Sequence, residues 1–157
     1  MVSINKWLKI LTVVLIIGMA VSAQRPEPKL WDQFGNIPCE ELRGRLDLFM
    51  NEVASHHDSQ GVIVGYDGQF TRYGGERPYK LLPKFGELQL MMTTFRNHFI
   101  FRRFDTRRIV FLSGGYRDDY GLEFWLVAPG GAFPDVRPTL KSIKYGKGTP
   151  QPVNDCP

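Results

Sequence analysis

The chain is poor in the residues that do chemistry: among 157 residues there are three histidines and two cysteines. No G-x-S-x-G elbow, phosphate-binding glycine loop or H-E-x-x-H pair occurs, so the usual signatures of acyl transfer, nucleotide binding and zinc proteolysis are missing. A cofactor is not expected. Internal repeats are lacking too, which leaves out solenoids and arrays. Charge of one sign is scarce: the formal charge of +4 includes Lys6 and Lys9, both in the first segment, and no acid offsets them there. The remainder of the chain is nearly balanced and gives no basis for nucleic-acid binding.

Long apolar runs are also few. The one that stands out, Ile10 to Val21, comes after Lys6 and Lys9 and precedes the small-residue site Val21-Ser22-Ala23, the layout of a secretory signal. About a dozen helical residues cover roughly 18 Å, short of a hydrocarbon core of roughly 30 Å. Cleavage after Ala23 is expected, giving an exported chain in the periplasm or outside the cell. An uncleaved anchor, with membrane contact through the leader alone, is the other reading. In an oxidising compartment Cys39 and Cys156 are expected to form one disulfide. Its loop exceeds a hundred residues, for which chain entropy gives about 4 to 5 kcal/mol. Two unpaired thiols are the alternative.

Three regions are expected: a signal peptide over 1–23, an α/β domain over 24–131 and a Pro/Gly-rich tail over 132–157. Leu30 to Phe34 reads as a first strand ahead of the Gly35-Asn36 turn. From Pro38, Leu42, Leu46, Phe49, Met50 and Val53 recur at helical spacing, with Glu40 and Glu41 suited to the first turn. Val62 to Tyr66 reads as a buried strand, Asp67-Gly68 as a turn and 69–84 as a long surface loop. A second helix is predicted from Phe85 to about Arg103. Strands come next over Ile109 to Leu112 and Leu122 to Val127, with Gly114-Gly115 as a turn and the Gly114 to Gly121 connection making the two a hairpin. The predicted fold is an α+β sandwich of order β-α-β-α-β-β, with two helices packed on a small mixed four-stranded sheet.

In that order, over roughly residues 30 to 128, the chain resembles the OmpA-like domain of bacterial envelope proteins. The stretches Arg108-Ile109-Val110 to Gly114-Gly115-Tyr116-Arg117 and Glu123-Phe124-Trp125-Leu126-Val127 also resemble a group of exported bacterial proteins with this layout. The resemblance implies a cleft acid near the end of the second strand and an arginine on the second helix, which together hold the diaminopimelate of peptidoglycan. Asp67 stands at the acid's place. The arginine's place falls at Thr93 or Thr94, with Arg96 one turn later as a substitute in a shifted register.

Beside the resemblance, the residues offer two readings each. Asp67 suits a turn before Gly68 as well as a ligand site. Arg96, Arg102, Arg103, Arg107 and Arg108, clustered with Phe95, Phe99, Phe101 and Phe104, suit binding of an anionic envelope component or a solvated helix end over core phenylalanines. The leading expectation is a non-catalytic envelope domain that binds or bridges material such as peptidoglycan through loop 69–84 and the basic end of the second helix. The other is a small secreted enzyme with a site around His57, Asp58 and Asp67. Neither reading sets an oligomeric state. Exported protein should begin at Gln24 and weigh one pair of hydrogens less than its reduced form; an intact Met1 with two free thiols would overturn the leader and the disulfide together.

Overall fold

The computed structural model describes residues 25–72 and 77–150. Its first helix, α1 (Cys39–Ser55), forms where the apolar spacing predicts it. Leu42, Leu46, Phe49, Met50 and Val53 are all buried, and Glu40 and Glu41 occupy the first turn. No basic residue of α1 itself lies in its last turn. A cation arrives instead from far along the chain: Arg108 Nη2 donates to the carbonyls of Val53, His56 and Ser59, at 2.5, 2.7 and 2.9 Å. Carbonyls at a helix C-terminus lack internal donors, so one guanidinium satisfies several acceptors there.

The sheet has five strands rather than the four expected: β1 (Lys29–Phe34), β2 (Gln60–Arg72), β3 (Tyr79–Leu81), β4 (Ile109–Asp119) and β5 (Gly121–Val127). Helix α2 (Glu87–Phe101) lies between β3 and β4. The extra strand, β3, comes from the segment predicted as loop. It pairs antiparallel with Phe70, Thr71 and Arg72 at the far end of β2. Strand β2 is the centre: β5 pairs with it antiparallel, β4 parallel, and β1 closes the other side of β5. The broad α+β class therefore stands, with two helices and a sheet containing one parallel pair.

Three further expectations change. Strand β2 runs on through Asp67 and Gly68 instead of turning there, with register shifts on its β4 side on both sides of Asp67. Strand β4 likewise runs through Gly114 and Gly115. The last two strands are not paired as a hairpin, because they lie on opposite sides of β2 and their short link crosses it. The crossing is at Gly68, where an added Cβ would stand 2.3 Å from the Asp119 carbonyl carbon and 2.4 Å from Tyr120 N. Glycine is thus required by a close approach of two backbones, not by a turn.

The main core lies between the helices and the sheet. Phe124 is its hub, with ring centroids of Phe49, Phe34, Trp31 and Phe95 at 4.8, 5.1, 6.3 and 6.5 Å. Gly65 lets α2 settle on β2, since a Cβ there would meet the Met92 methyl at 2.2 Å and Leu88 at 2.6 Å. A smaller cluster, Val62, Val64, Tyr66 and Val127, forms apart from it on the alternate positions of the strands.

The tail from Ala132 is largely irregular but well tethered. Ala132 N donates to Pro26 O, Thr139 N and Leu140 N to Tyr116 O, and Gly146 N to Pro83 O. Cys39 begins α1 and packs against the core, while its expected partner Cys156 lies outside the described residues.

Replacing Gly68 by alanine should lower the unfolding free energy by at least about 2 kcal/mol, because backbone cannot yield as a side chain would. Gly44, in the middle of α1 with open space where a Cβ would stand, is the control: alanine there should add roughly 0.5 to 1 kcal/mol. Urea unfolding of the two variants measures both.

Candidate functional site

Asp67 lies in the far half of β2, half-buried, close to the start of α2. Tyr145 of the tail donates its hydroxyl to Asp67 Oδ2 at 3.2 Å, and the Tyr145 ring meets Phe85 edge-on at 5.4 Å. Burial raises the carboxyl pKa of Asp67 above its ordinary value; the Tyr145 bond pulls it down, and negative Glu87 nearby pushes it up. The same enclosure, with Asp67 alongside, raises Tyr145 and the fully buried Tyr120. The end of the sheet therefore holds a partly desolvated acid covered by a tyrosine. On α2, at the place where the resemblance implies an arginine, Thr93 and Thr94 turn their hydroxyls back to Gln89 O and Leu90 O at 3.0 and 3.1 Å.

The basic residues gather at the other end of α2, and most have local partners. Arg96 places its guanidinium over the Phe111 ring at 5.1 Å. Arg107 forms a fork with Asp105, both bonds 2.9 Å. Arg103 comes after the helix with φ of 57°, in the left-handed region. Arg102, the C-cap, reaches back to α1 and binds Asp47 through Nε at 3.0 Å and through Nη2. His98 Nε2 lies 2.7 Å from Asp47 Oδ1, and since a carboxylate only accepts, that nitrogen donates. Burial works to raise Asp47, but the bonds from His98 and Arg102 together outweigh it and leave the pKa lowered. Phe95 and Phe99 belong to the core, whereas Phe101 is 78% exposed.

These placements separate the predicted ligand set. Asp67 is at the Glu87 end of α2 and Arg102 caps the opposite end, a helix length of about 22 Å away. Arg103 and Arg107 come next in the chain after Arg102, so these three arginines lie at the far end of α2 from Asp67, while Arg96 faces Phe111 of β4. His57 and Asp58 precede β2 and are exposed, and Asp67 comes seven strand residues after Gln60, roughly 23 Å along the strand. The enzyme reading needed those three together; the fold keeps them apart.

One cluster has no role in the sequence reading, where Arg117, Glu123 and Trp125 appear only within stretches that carry a resemblance. Glu123, 8% exposed in β5, accepts from Arg117 Nη2 at 2.8 Å, Trp125 Nε1 at 3.1 Å and Tyr66 Oη at 3.2 Å. Arg117 also lies 3.3 Å above the Tyr66 ring and donates to Arg137 O in the tail, whose Arg137 N donates to Tyr66 Oη. Gly114 makes room for that ring, as a Cβ there would be 2.3 Å from it. A buried carboxylate with every partner in place fixes packing, and losing Arg117 would strand its charge. A glutamate between Leu122 and Phe124 in an otherwise apolar strand was the available signal. Among the described residues, no cluster of histidine, cysteine and acids is arranged to hold a metal ion, and no helix is long and apolar enough to cross a membrane.

No protein family, curated protein sequence or solved structure matches this chain.

The two shifted acids give opposite dependences on pH. Asp67 has a raised pKa when folded, so between 3.8 and that raised value the folded state binds more protons, and stability falls as pH rises. Asp47 has a lowered pKa; its stabilisation is full above 3.8 and is lost as pH falls through the lowered value. Asp67→Asn should therefore be more stable than wild type near pH 7, with the gain vanishing in acid. Asp47→Asn should be less stable near pH 7, with the deficit shrinking in acid. Urea unfolding from pH 3 to 7 resolves both slopes.

Proposed function

We propose that this chain is an exported domain that binds cell-envelope material without transforming it, and that it does so at two separated patches. The observation that carries the reading is the split of charge along α2: a shielded acid at its start and a basic patch beyond its end. The order of elements supports it as well, since, with short β3 set aside, it is the β-α-β-α-β-β order on which the resemblance to OmpA-like envelope domains rests. The leader sequence supplies the address. The disulfide from Cys39 to Cys156 belongs to the same proposal, as export would permit it.

Peptidoglycan is the ligand of choice on chemical grounds. Its stem peptides carry ammonium and carboxylate groups, so Asp67 suits one and Arg102, Arg103 and Arg107 the other. A separation of about 22 Å is too long for one diaminopimelate to span. It suits a polymer touched at two points, and hence bridging. Tyr145 occupies Asp67 in the unbound protein and has to give way at that patch.

The mature protein should sediment with purified sacculi. Replacing Arg102, Arg103 and Arg107 together by glutamine, or Asp67 by asparagine, should each lower the retained fraction severalfold, with circular dichroism unchanged. Absence of wild-type retention, or equal retention by all three proteins, would refute the reading.

A further inference from the structure

A groove of about 490 Å³ runs between the first half of α1 and the second half of α2. Leu42, Leu46 and Phe95 lie beneath it, 5%, 2% and 0% exposed, and Thr94 and Asn97 line it beside them. Phe101 borders it and is left 78% exposed, about 200° around α2 from the core residue Phe99. Around the rim stand Arg43, His98 and Arg102. The acid beside them, Asp47, is already engaged on both oxygens by His98 and Arg102.

That engagement positions Arg102. Asp47 takes two of the five N–H groups of the guanidinium, and the Arg102 side chain stays 47% exposed. A flexible arginine is in this way pinned beside an apolar trough with donors to spare. The volume falls within the range of small-molecule sites, about 300 to 1,000 Å³, and the combination of apolar floor with a few convergent polar groups is the usual make-up of such sites.

We propose that this groove binds a single-chain amphiphile with an anionic head, of which a medium- or long-chain fatty acid is the simplest form. The chain lies along the trough between the two helices, Phe101 covers it, and Arg102 takes the carboxylate. The inference goes beyond the envelope-binding reading and does not rest on it: Arg102 serves both, but the Phe101→Ser variant tests the groove alone and leaves Arg102, Arg103 and Arg107 in place for the sacculus.

The test is a titration of the mature protein with dansyl-undecanoate, followed by displacement with laurate or with dodecanol. Saturable one-site binding is expected, with laurate displacing the probe at least about tenfold better than dodecanol. Arg102→Gln should abolish that preference and leave dodecanol unchanged. Phe101→Ser should weaken both competitors about tenfold. Both residues are exposed enough for the variants to keep their fold, which the unfolding transition checks. Lack of saturable binding, or indifference to both substitutions, would overturn the proposal. So would partition onto phosphatidylglycerol vesicles without affinity for the free acid, which marks a membrane-surface site, or tighter binding of an acidic amphipathic peptide, which marks a protein partner.

Discussion

Two backbones meet at Gly68, where the link from β4 to β5 passes over β2 with no space for even one added carbon. The fold depends on that passage. Because the link crosses, β4 and β5 can lie on either side of β2, and the strand gains hydrogen-bonded neighbours along both edges. Doubly flanked, β2 buries Val62, Ile63, Val64 and Tyr66 completely, and both helices acquire a surface to pack on. Asp67 precedes the crossing by one residue, between two register shifts, so the acid is placed by the same constraint that orders the sheet.

The two sides of the sheet are stabilised by different means. Between helices and sheet the contacts are aromatic and aliphatic, centred on Phe124, and they depend on close packing. Around Tyr66 and Glu123 the contacts are polar, and the tail is part of them through Arg137. Segment 132–146 thus joins the domain by backbone bonds to Pro26, Tyr116 and Pro83, so the boundary at 131 marks a change in regularity and not in attachment. The acid patch inherits this arrangement: its tyrosine belongs to the tail, whereas the interhelical groove lies between the helices and the basic residues come from the end of α2 and the segment after it.

How much of this was legible in the residues depended on whether the cause was local. Both helices were, because Leu42, Leu46, Phe49 and Val53, and then Leu88, Met91, Phe95 and Phe99, repeat at the helical period and each is buried. Strands rich in valine and isoleucine were legible too. The errors came from glycines. Asp67-Gly68 and Gly114-Gly115 read as turns, since a sequence shows a missing side chain but not whether a bend or a neighbouring backbone or ring requires it. The expected hairpin came from the second of these, and the fourth-strand count from reading Tyr79–Leu81 as loop. At the site, Asp67 and the arginines were singled out individually, but their separation along α2 was not visible, and neither was Arg102 turning to Asp47 across 55 positions of sequence. Glu123 was passed over because Arg117 and Tyr66 reach it only once β4 and β5 flank β2.

Arg108 joins the end of α1 to the beginning of β4 through three carbonyls that one nitrogen gathers. Those carbonyls span Val53 to Ser59, the corner by which the chain leaves the helix for the central strand, and the guanidinium reaches that corner only once β4 has paired with β2. Amide exchange at that corner is then tied to exchange at the first residues of β4, although Arg108 stands 49 to 55 positions from the carbonyls it joins. The early and late parts of the polypeptide would open to solvent as one cooperative unit, and the corner would not fray by itself.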